Sequence, residues 1–268
     1  MECLVNSCVV ALVTGASSGI GYEYARQLAA RGFDLLIVSN EKEKIEDAAQ
    51  MFISESGVKV QPLFRDLSAP DAAIELFGYC KENDITVEIL VNNAGIFFFR
   101  DITDVDEDRL SILLHLHILT ATMLCRFFGR EMASRGKGYI LNMASMAGWL
   151  PYPGISVYAA TKSYLITLSK AVYNELYDKG VGVTVVCPGG VATNLYHLSR
   201  KLMRLGVRLG VLMPSDRLAR KGLKAMFSKK RCVIPGVINY LFLPLAKAIP
   251  SFMIRYVKRH SKLYRYGL

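Results

Sequence analysis

The sequence lacks the features that mark disulfide-bonded, zinc-binding or membrane-spanning proteins. None of its six cysteines forms a C-x-x-C pair, and no cysteine–histidine cluster has zinc-site spacing. No stretch of 18 apolar residues is present, and neither is a repeat or a low-complexity tract. We therefore predict buried, reduced thiols, no metal site and no spanning helix.

Acidic residues are nearly missing from the C-terminal end. From His197 to Leu268 there are 17 Lys/Arg and one acid, Asp216, so this part carries about +16 and the first 196 residues about −6. Such asymmetry predicts an anionic partner for the C-terminal end. Glu2 stands where a secretory signal would have a basic residue, so we expect a cytoplasmic protein.

Apolar runs alternate with helical patterns along the 268 residues, which is typical of βαβ units. We predict a single α/β domain with a doubly wound, mainly parallel seven-stranded sheet flanked by helices. The predicted strands are Cys8–Val13, Asp34–Val38, Val58–Phe64, Ile89–Asn92, Tyr139–Asn142, Val183–Cys187 and Cys232–Ile234. The predicted helices are Ile20–Arg31, Lys42–Ser54, Pro70–Lys81, Asp106–Met132, Ile155–Asp178 and Pro214–Phe227.

A glycine-rich loop joins the first strand to the first helix, with the sequence Thr14-Gly-Ala-Ser-Ser-Gly-Ile-Gly21. Glycine lets the backbone approach a pyrophosphate closely, and the helix start offers N–H groups to it. The strand before the loop and the helix after it favour nucleotide binding over an ordinary turn.

Tyr158 and Lys162 are four residues apart in a helical pattern and so share one face. A nearby ammonium favours a phenolate, which makes such a pair a candidate general acid/base. Most pairs at this spacing are ordinary helix surface, but Ser145 and the glycine loop favour the catalytic interpretation.

The motifs and their order resemble the short-chain dehydrogenase/reductase family over roughly residues 8–195. They are T-G-x-x-x-G-x-G, Asn92-Asn-Ala-Gly95, Ser145 placed 13 residues before Tyr158, Y-x-x-x-K, and Pro188-Gly189 followed by Thr193. The resemblance implies a Rossmann-type fold and hydride exchange between a nicotinamide cofactor and a carbonyl or alcohol. It also implies a homodimer or homotetramer built on the two long helices.

The resemblance assigns roles to individual residues. Tyr158 would protonate the carbonyl oxygen, Ser145 would hydrogen-bond it, and Lys162 would also hold the nicotinamide ribose. The implied cofactor-binding residues are Gly15, Ser17, Ser18, Gly19, Ile20, Gly21, Ser39, Asn40, Asp66, Leu67, Asn93, Ala94, Gly95, Tyr158, Lys162, Pro188, Gly189, Val191 and Thr193.

One position departs from the family pattern. Where the family has an Asn that supports a proton relay, this sequence has His117. Histidine can donate or accept hydrogen bonds, so a relay role and a structural role both stay open, and we slightly favour the structural one.

The choice between NADP(H) and NAD(H) depends on the end of the second strand. The usual acid position is Ser39, and Asn40 stands where NADP-dependent relatives often have Arg. Position 39 carries no negative charge that would repel a 2′-phosphate. Lys42 would attract such a phosphate, whereas the neighbouring Glu41 would repel it. We favour NADP(H), with NAD(H) as the alternative.

The segment after Thr193 carries leucines at helical spacing and the stripe Arg200, Arg204 and Arg208. It could form a lid on an apolar pocket, lie on an anionic membrane, or guide a phosphate-bearing carrier such as an acyl-CoA. We divide the chain into a domain over 1–235, with a substrate-covering insertion over 193–228, and a basic, aromatic extension over 236–268. That extension fits interfacial anchoring or packing on the domain, and not nucleic acid.

Two functions are therefore weighed. The first is an NAD(P)(H)-dependent oxidoreductase acting on a small apolar substrate, such as a 3-oxoacyl thioester or a hydroxysteroid-like ring. The second is a non-catalytic or weakly active nucleotide-binding protein at the inner membrane surface. The intact Ser145, Tyr158 and Lys162 favour the first.

Overall fold

A computed structural model describes residues 8–193 and 200–261 and contains the seven predicted strands in one parallel sheet. The sheet order is β3-β2-β1-β4-β5-β6-β9. Its strands are β1 Cys8–Thr14, β2 Asp34–Ser39, β3 Val60–Phe64, β4 Ile85–Asn92, β5 Gly138–Met143, β6 Val181–Val186 and β9 Cys232–Val233. The short strands β7 Val191–Ala192 and β8 Met213–Pro214 pair separately.

The helices follow the strands in the order expected of βαβ units. They are α1 Gly19–Ala29, α2 Lys42–Ser56, α3 Ala72–Glu82, α4 Glu107–Leu114, α5 Ala121–Arg135, α6 Ser156–Leu176, α7 Arg200–Arg208, α8 Ser215–Phe227, α9 Val237–Lys247 and α10 Ser251–His260. Short 3-10 turns cover Ile102–Asp104, Met146–Trp149 and Tyr177–Lys179.

Helices cover both faces of the sheet, which explains why its central strands are nearly continuous apolar runs. On one face, Tyr24 of α1, Phe52 of α2 and Leu223 of α8 pack on the strands. On the other face, Leu76 of α3 and Phe128 of α5 pack on them, and α6 adds partly buried side chains. The predicted doubly wound α/β fold is thereby confirmed.

The strand order reverses between β1 and β4, because the chain builds β1 to β3 outward and then returns to pair β4 with β1. At such a switch point the loops after neighbouring strands diverge and leave a crevice. The glycine loop after β1 and the Asn93–Gly95 loop after β4 flank this crevice.

Most predicted element bounds agree with the structure within two residues, but two elements differ more. Strand β4 begins at Ile85 instead of Ile89, because residues 85–88 alternate between inward and outward positions and the polar Glu88 interrupts the apolar run. The predicted helix Asp106–Met132 is divided into α4, a π-helical turn over His115–Thr120, and α5. A π-turn widens the helix locally and is frequent at functional sites.

The continuous helical stretch Glu107–Arg135 is long and apolar enough to cross a membrane by length and composition. It is the one helix with these properties among the residues that the structure describes. Its inward side chains, including Leu124, Phe128 and Met132, pack on the sheet. These contacts are those of a core helix in an α/β domain.

Two helices of the C-terminal part, α8 and α9, pack against the domain. Helix α8 belongs to the core through Leu218 and Leu223. Helix α9 buries Leu243 and Ala246 against the Met146–Trp149 turn and Leu150. Cys80, Cys125, Cys187 and Cys232 are free thiols, and Cys3 lies outside the described residues.

We predict that Gly222→Ala destabilises the fold. A Cβ at Gly222 would overlap the Tyr24 hydroxyl, which is fully enclosed and donates a hydrogen bond to Met143 Sδ. Overpacking of this kind costs about 1–3 kcal/mol of unfolding free energy, measurable by urea denaturation.

Gly78→Ala in α3 is the matched control, since no described atom lies within 4 Å of the added Cβ. This exchange should leave stability unchanged or raise it by up to about 1 kcal/mol, through helix propensity. Equal effects of the two substitutions would contradict the packing argument.

Candidate active site

The glycine loop presents backbone, not side chains, to the crevice. Gly15 and Gly19 have φ values of +66° and +61°, which side-chain-bearing residues rarely adopt. A Cβ at Gly21 would overlap the carbonyl oxygen of Gly15, so helix α1 starts directly against the loop. The first N–H groups of α1 therefore meet the crevice, where they suit an anion.

Thr14 joins the ends of β1 and β4. Its Oγ1 accepts the backbone N–H groups of Asn93 and Ala94, each at 3.0 Å, and donates to Val91 O at 3.2 Å. The Asn93 side chain in turn donates to Thr14 O at 3.1 Å. These bonds hold the two crevice loops at a fixed separation.

A cavity of about 420 Å³ runs along this crevice. It brings together most of the predicted cofactor residues, which come from separate loops: Gly15, Ser17, Ser18, Gly19, Ile20, Ser39, Asn40, Asp66, Leu67, Asn93, Ala94, Gly95 and Thr193. Gly21 supports the loop from beneath. The glycine-lined cradle, into which a Cβ would not fit, matches the needs of a dinucleotide pyrophosphate.

The end of the crevice beside β2 carries a carboxylate. Ser17 Oγ donates to Glu41 Oε2 at 2.7 Å, and Ser39 Oγ donates to Ser17 Oγ at 2.9 Å. Hydrogen bonds from Lys44 and Ser17 hold the pKa of Glu41 below its usual value, so it is ionised at neutral pH. Lys42 is exposed and is not among the described residues that line this cavity.

Arg65 lines the same end of the crevice and was not singled out by the sequence analysis. Its backbone N–H donates to Ser39 O at 2.9 Å, and its guanidinium pairs with Glu75. Its Nε is buried and has no hydrogen-bond partner among the described residues. The sequence does place Arg65 directly after β3, at the carboxyl end of a parallel strand, where ligands usually bind.

The predicted catalytic residues Ser145, Tyr158 and Lys162 line a second cavity of about 70 Å³. Ile20, Asn93, Gly95, Ile96 and Thr193 line both cavities, so the second continues the first. The predicted residues Pro188, Gly189 and Val191 also line it.

Ser145 caps the turn Met146–Trp149 just after β5. Its Oγ accepts the backbone N–H of Ala147 at 3.1 Å. This bond uses the oxygen as an acceptor and fixes the side chain, so that the hydroxyl hydrogen remains to be donated into the cavity.

Lys162 is a buried cation beneath Tyr158. Its ammonium is 5.5 Å from the centre of the Tyr158 ring and donates to Met143 O at 3.1 Å. Burial lowers the pKa of Lys162 to about 8, because the charged form is poorly solvated there. The side chain is 5% exposed, so its charge acts on the cavity with little screening by water.

His117 lies in the π-turn and is 1% exposed. Its Nε2 accepts the backbone N–H of Ile96 at 3.1 Å, so the ring proton belongs on Nδ1, which lies 3.0 Å from Thr161 Oγ1. Burial, with the nearby positive charge of Lys162, lowers the pKa of His117 well below its ordinary value, which makes the ring neutral.

The two nitrogens of His117 are thus occupied by structural bonds. Thr161 extends this chain of hydrogen bonds, because its Oγ1 donates to Tyr158 O at 2.8 Å. A Cβ on Gly95 would lie 2.7 Å from His117 Nε2, so the glycine makes room for the ring. This geometry favours a positioning role for His117 over a relay role, and it includes Thr161, which the sequence analysis missed.

The segment after Thr193 is described from Arg200 onward. Leu202, Leu205 and Leu209 are 51–65% exposed, whereas Leu212 packs over Gly190 and Gly206. The first three leucines thus do not cover the cavity in this arrangement. Leu195 and Leu198 lie outside the described residues.

Comparisons with known proteins agree with this geometry. A family described as short chain dehydrogenase matches residues 9–203. Very-long-chain 3-oxoacyl-CoA reductase of Anas platyrhynchos is 31% identical over 195 residues, which are 71% of this chain and 62% of that protein. Hydroxysteroid dehydrogenase-like protein 1 of Gallus gallus is 34% identical over 194 residues, which are 71% and 58% of the two chains.

The chain thus matches about 60% of the length of these curated relatives. Among solved structures, a short-chain dehydrogenase from Sphingobium yanoikuyae in complex with NADPH has a TM-score of 0.76 and 29% identity. The match covers 91% of this chain and 96% of that one.

We predict that Lys162→Met raises the stability of the cofactor-free protein at pH 7. Moving the pKa from 10.5 to about 8 corresponds to a cost of about 3 kcal/mol for keeping the charge buried. Between these pH values the folded protein binds fewer protons than the unfolded chain, so wild-type stability rises with pH there.

The excess stability of Lys162→Met should therefore shrink as pH rises from 7 to about 10, measured by urea unfolding at each pH. Lys224→Met, on the exposed side of α8, is the control and should show no such convergence. A variant less stable than wild type at pH 7 would contradict the buried-charge argument.

Proposed function

Because the chain belongs to the short-chain dehydrogenase family, we propose that it is an NAD(P)(H)-dependent oxidoreductase interconverting a carbonyl and a secondary alcohol on an apolar substrate. The observation that carries the proposal is the common cavity of Ser145, Tyr158 and Lys162, which continues the nucleotide crevice. A protein that only binds nucleotide would not need these three groups together.

A nicotinamide cofactor held in the crevice by the glycine loop and Lys162 would supply or accept the hydride at the substrate carbon. In the reducing direction, the Tyr158 hydroxyl donates a proton to the carbonyl oxygen. Ser145 donates its hydroxyl hydrogen to the same oxygen. This is possible because Ser145 Oγ only accepts a hydrogen bond from Ala147 N–H. Both groups stabilise the negative charge that develops on that oxygen.

Lys162 makes Tyr158 a better proton exchanger. Its buried ammonium lies beneath the Tyr158 ring, where a positive charge favours the phenolate left after proton donation. We also assign to Lys162 the binding of the nicotinamide ribose. That contact would help to keep the amine protonated near its own pKa of about 8.

His117 positions the cavity walls. It connects the loop at Ile96 to the backbone of the residue that carries the reacting hydroxyl, through Thr161. Because both of its nitrogens are engaged and its pKa is lowered, we assign it no proton transfer.

The substrate class follows from the surroundings of Tyr158 and from the relatives. Phe97 packs edge-on against the Tyr158 ring at 5.0 Å, and Ile96 lines the cavity. The similar proteins from duck and chicken are named for a 3-oxoacyl-CoA and a hydroxysteroid. A 3-oxoacyl thioester or a hydroxysteroid-like ring fits such an apolar approach.

NADP(H) is the proposed preference. Ser39 carries no charge that repels a 2′-phosphate, and the buried Arg65 Nε at the same end has no described partner. The Sphingobium yanoikuyae structure contains NADPH. Glu41 is the opposing charge, and its carboxylate is already engaged by Ser17 and Lys44.

The proposed assembly is a homodimer or homotetramer formed by the helical stretch Glu107–Arg135 and by α6. The proposed location is the cytoplasm, with peripheral attachment to the inner membrane surface. Support for the attachment is the basic, exposed C-terminal part.

We predict that Tyr158→Phe lowers kcat by about 100- to 10,000-fold while NADPH binding is kept, since the variant loses only the exchangeable proton. The measurement is NADPH oxidation with a 3-oxoacyl thioester and a ketosteroid, beside cofactor titration by fluorescence. Tyr164→Phe is the matched control, because this α6 hydroxyl contacts Thr122 and does not line the cavity. Equal rates for Tyr158→Phe and wild type would refute the assignment.

We predict that Glu41→Gln increases the preference for NADPH over NADH by about 10-fold, because it removes a negative charge from the end where a 2′-phosphate would bind. The ratio of kcat/KM values for the two cofactors measures it. Glu43→Gln serves as the control, because Glu43 is an exposed residue of α2 two positions after Glu41. An unchanged ratio in Glu41→Gln would show that the 2′-phosphate binds elsewhere.

A further inference from the structure

Helices α9 and α10 expose an unusual set of large apolar side chains. Six of them are 54–70% exposed: Tyr240, Leu241, Leu245, Phe252, Tyr256 and Val257. We call these residues the C-terminal face. An apolar area of this kind on the outside of a protein marks an interaction surface.

The opposite side of α9 is fixed to the domain, whereas α10 buries no side chain and contacts the domain mainly through one ion pair. Leu243 and Ala246 of α9 are buried, and Tyr152 Oη donates to Ala246 O at 2.8 Å. In α10, Lys258 pairs with Asp101, and Ile254 lines a groove against residues 147–153. The exposure of the apolar α9 residues therefore results from packing of the other side of that helix on the domain, and α10 follows directly with its own apolar residues exposed.

The charged residues within the two helices are all basic, and Asp101 outside them pairs with Lys258. Neither α9 nor α10 contains Asp or Glu, while Lys247, Arg255, Lys258 and Arg259 belong to them. Over residues 200–261, 15 Lys/Arg accompany the single acid Asp216. Lys247 and Arg255 are exposed, so their charges reach the solvent beside the apolar residues.

We propose that the C-terminal face binds the surface of an anionic phospholipid bilayer. Tyr and Phe side chains insert at the boundary between headgroups and acyl chains, and Lys and Arg reach the phosphates above. Each basic residue near such a surface adds attraction to anionic lipid. The face combines both requirements on two adjacent helices.

A second copy of the chain fits this surface poorly. In a two-fold dimer the same patch meets itself, so the basic residues of one copy would face those of the other. No acid on α9 or α10 is present to balance them. Like charges facing each other across an interface cost free energy, whereas anionic lipid neutralises them.

The face also lies near the site, which gives the attachment a consequence for catalysis. Asn239 of α9 packs over Gly189, which lines the cavity of Tyr158. Met213, which follows the exposed leucines of α7, lies next to Gly236. Membrane binding would therefore bring the Gly189 wall of the Tyr158 cavity near the lipid. This consequence rests on the proposed function and deepens it by naming a lipid-dissolved substrate.

The test is co-sedimentation of the full chain with phosphatidylcholine vesicles with and without about 30% phosphatidylserine. We expect binding to the anionic vesicles and its loss as salt is raised from about 0.1 M to about 0.5 M. The double variant Phe252→Ser/Tyr256→Ser should bind at least about 10-fold more weakly. Lys247→Gln/Arg255→Gln should lose about five-fold per charge.

The matched control is Phe64→Ser/Ile74→Ser, which removes side chains that are 56% and 54% exposed, one in the edge strand β3 and one in α3. It should bind like wild type, and all variants should unfold at the same urea concentration. No binding of the full chain to anionic vesicles would overturn the proposal. A dimer in sedimentation equilibrium that Phe252→Ser/Tyr256→Ser dissociates would also overturn it, in favour of a second copy.

A second measurement separates this proposal from the proposed function. Phe252→Ser/Tyr256→Ser should reduce a ketosteroid dissolved in anionic vesicles about 10-fold more slowly than wild type, but a short water-soluble ketone at the wild-type rate. Loss of both rates would contradict the docking role. If the wild type sediments with the vesicles but reduces neither ketone, only the proposed reaction is contradicted.

Discussion

A buried ammonium is the constraint on which the site depends. Lys162 is held under Tyr158 by one backbone carbonyl, that of Met143, and burial brings its pKa down to about 8. The charge destabilises the folded protein because water is excluded from it. The same exclusion of water makes its effect on a neighbouring phenol strong. Burial of the Lys162 charge thus lowers the folding stability and strengthens the electrostatic effect on Tyr158. Such a loss of stability is common where a site needs a charge in a fixed position.

The surrounding structure holds that arrangement from several directions. Strand β5 ends with Met143, and the turn capped by Ser145 follows directly, so the carbonyl that binds Lys162 and the hydroxyl of Ser145 are two residues apart. His117 fixes the opposite wall, through neutral nitrogens that contact Ile96 and Thr161. His117 lies within the π-turn, and Gly95 leaves the space that its ring occupies. A histidine in this position therefore preserves the connection between loop and helix without carrying charge.

The molecule separates its tasks by region. The first strands and helices form the nucleotide crevice with backbone groups and few charges, while the C-terminal helices carry most of the excess positive charge outside the core. Helix α8 contributes both to the hydrophobic core and to the positive surface, since Leu218 and Leu223 enter the core whereas Arg217 and Arg220 face the solvent. The reaction and the proposed lipid contact can consequently be altered by separate substitutions.

The sequence alone determined the seven strands, their mainly parallel arrangement and the positions of the glycine loop, Ser145, Tyr158 and Lys162, because periodicity and motif spacing are local properties of the chain. It did not determine the start of β4, where Glu88 interrupts the apolar run, or the π-turn. It also missed Arg65 and Thr161, and left the role of His117 open. Only the tertiary structure decided these points, together with the outward direction of α9 and α10. Each of them depends on contacts between residues distant in sequence, such as Ile96 with His117 or Asp101 with Lys258, and no local pattern specifies such contacts.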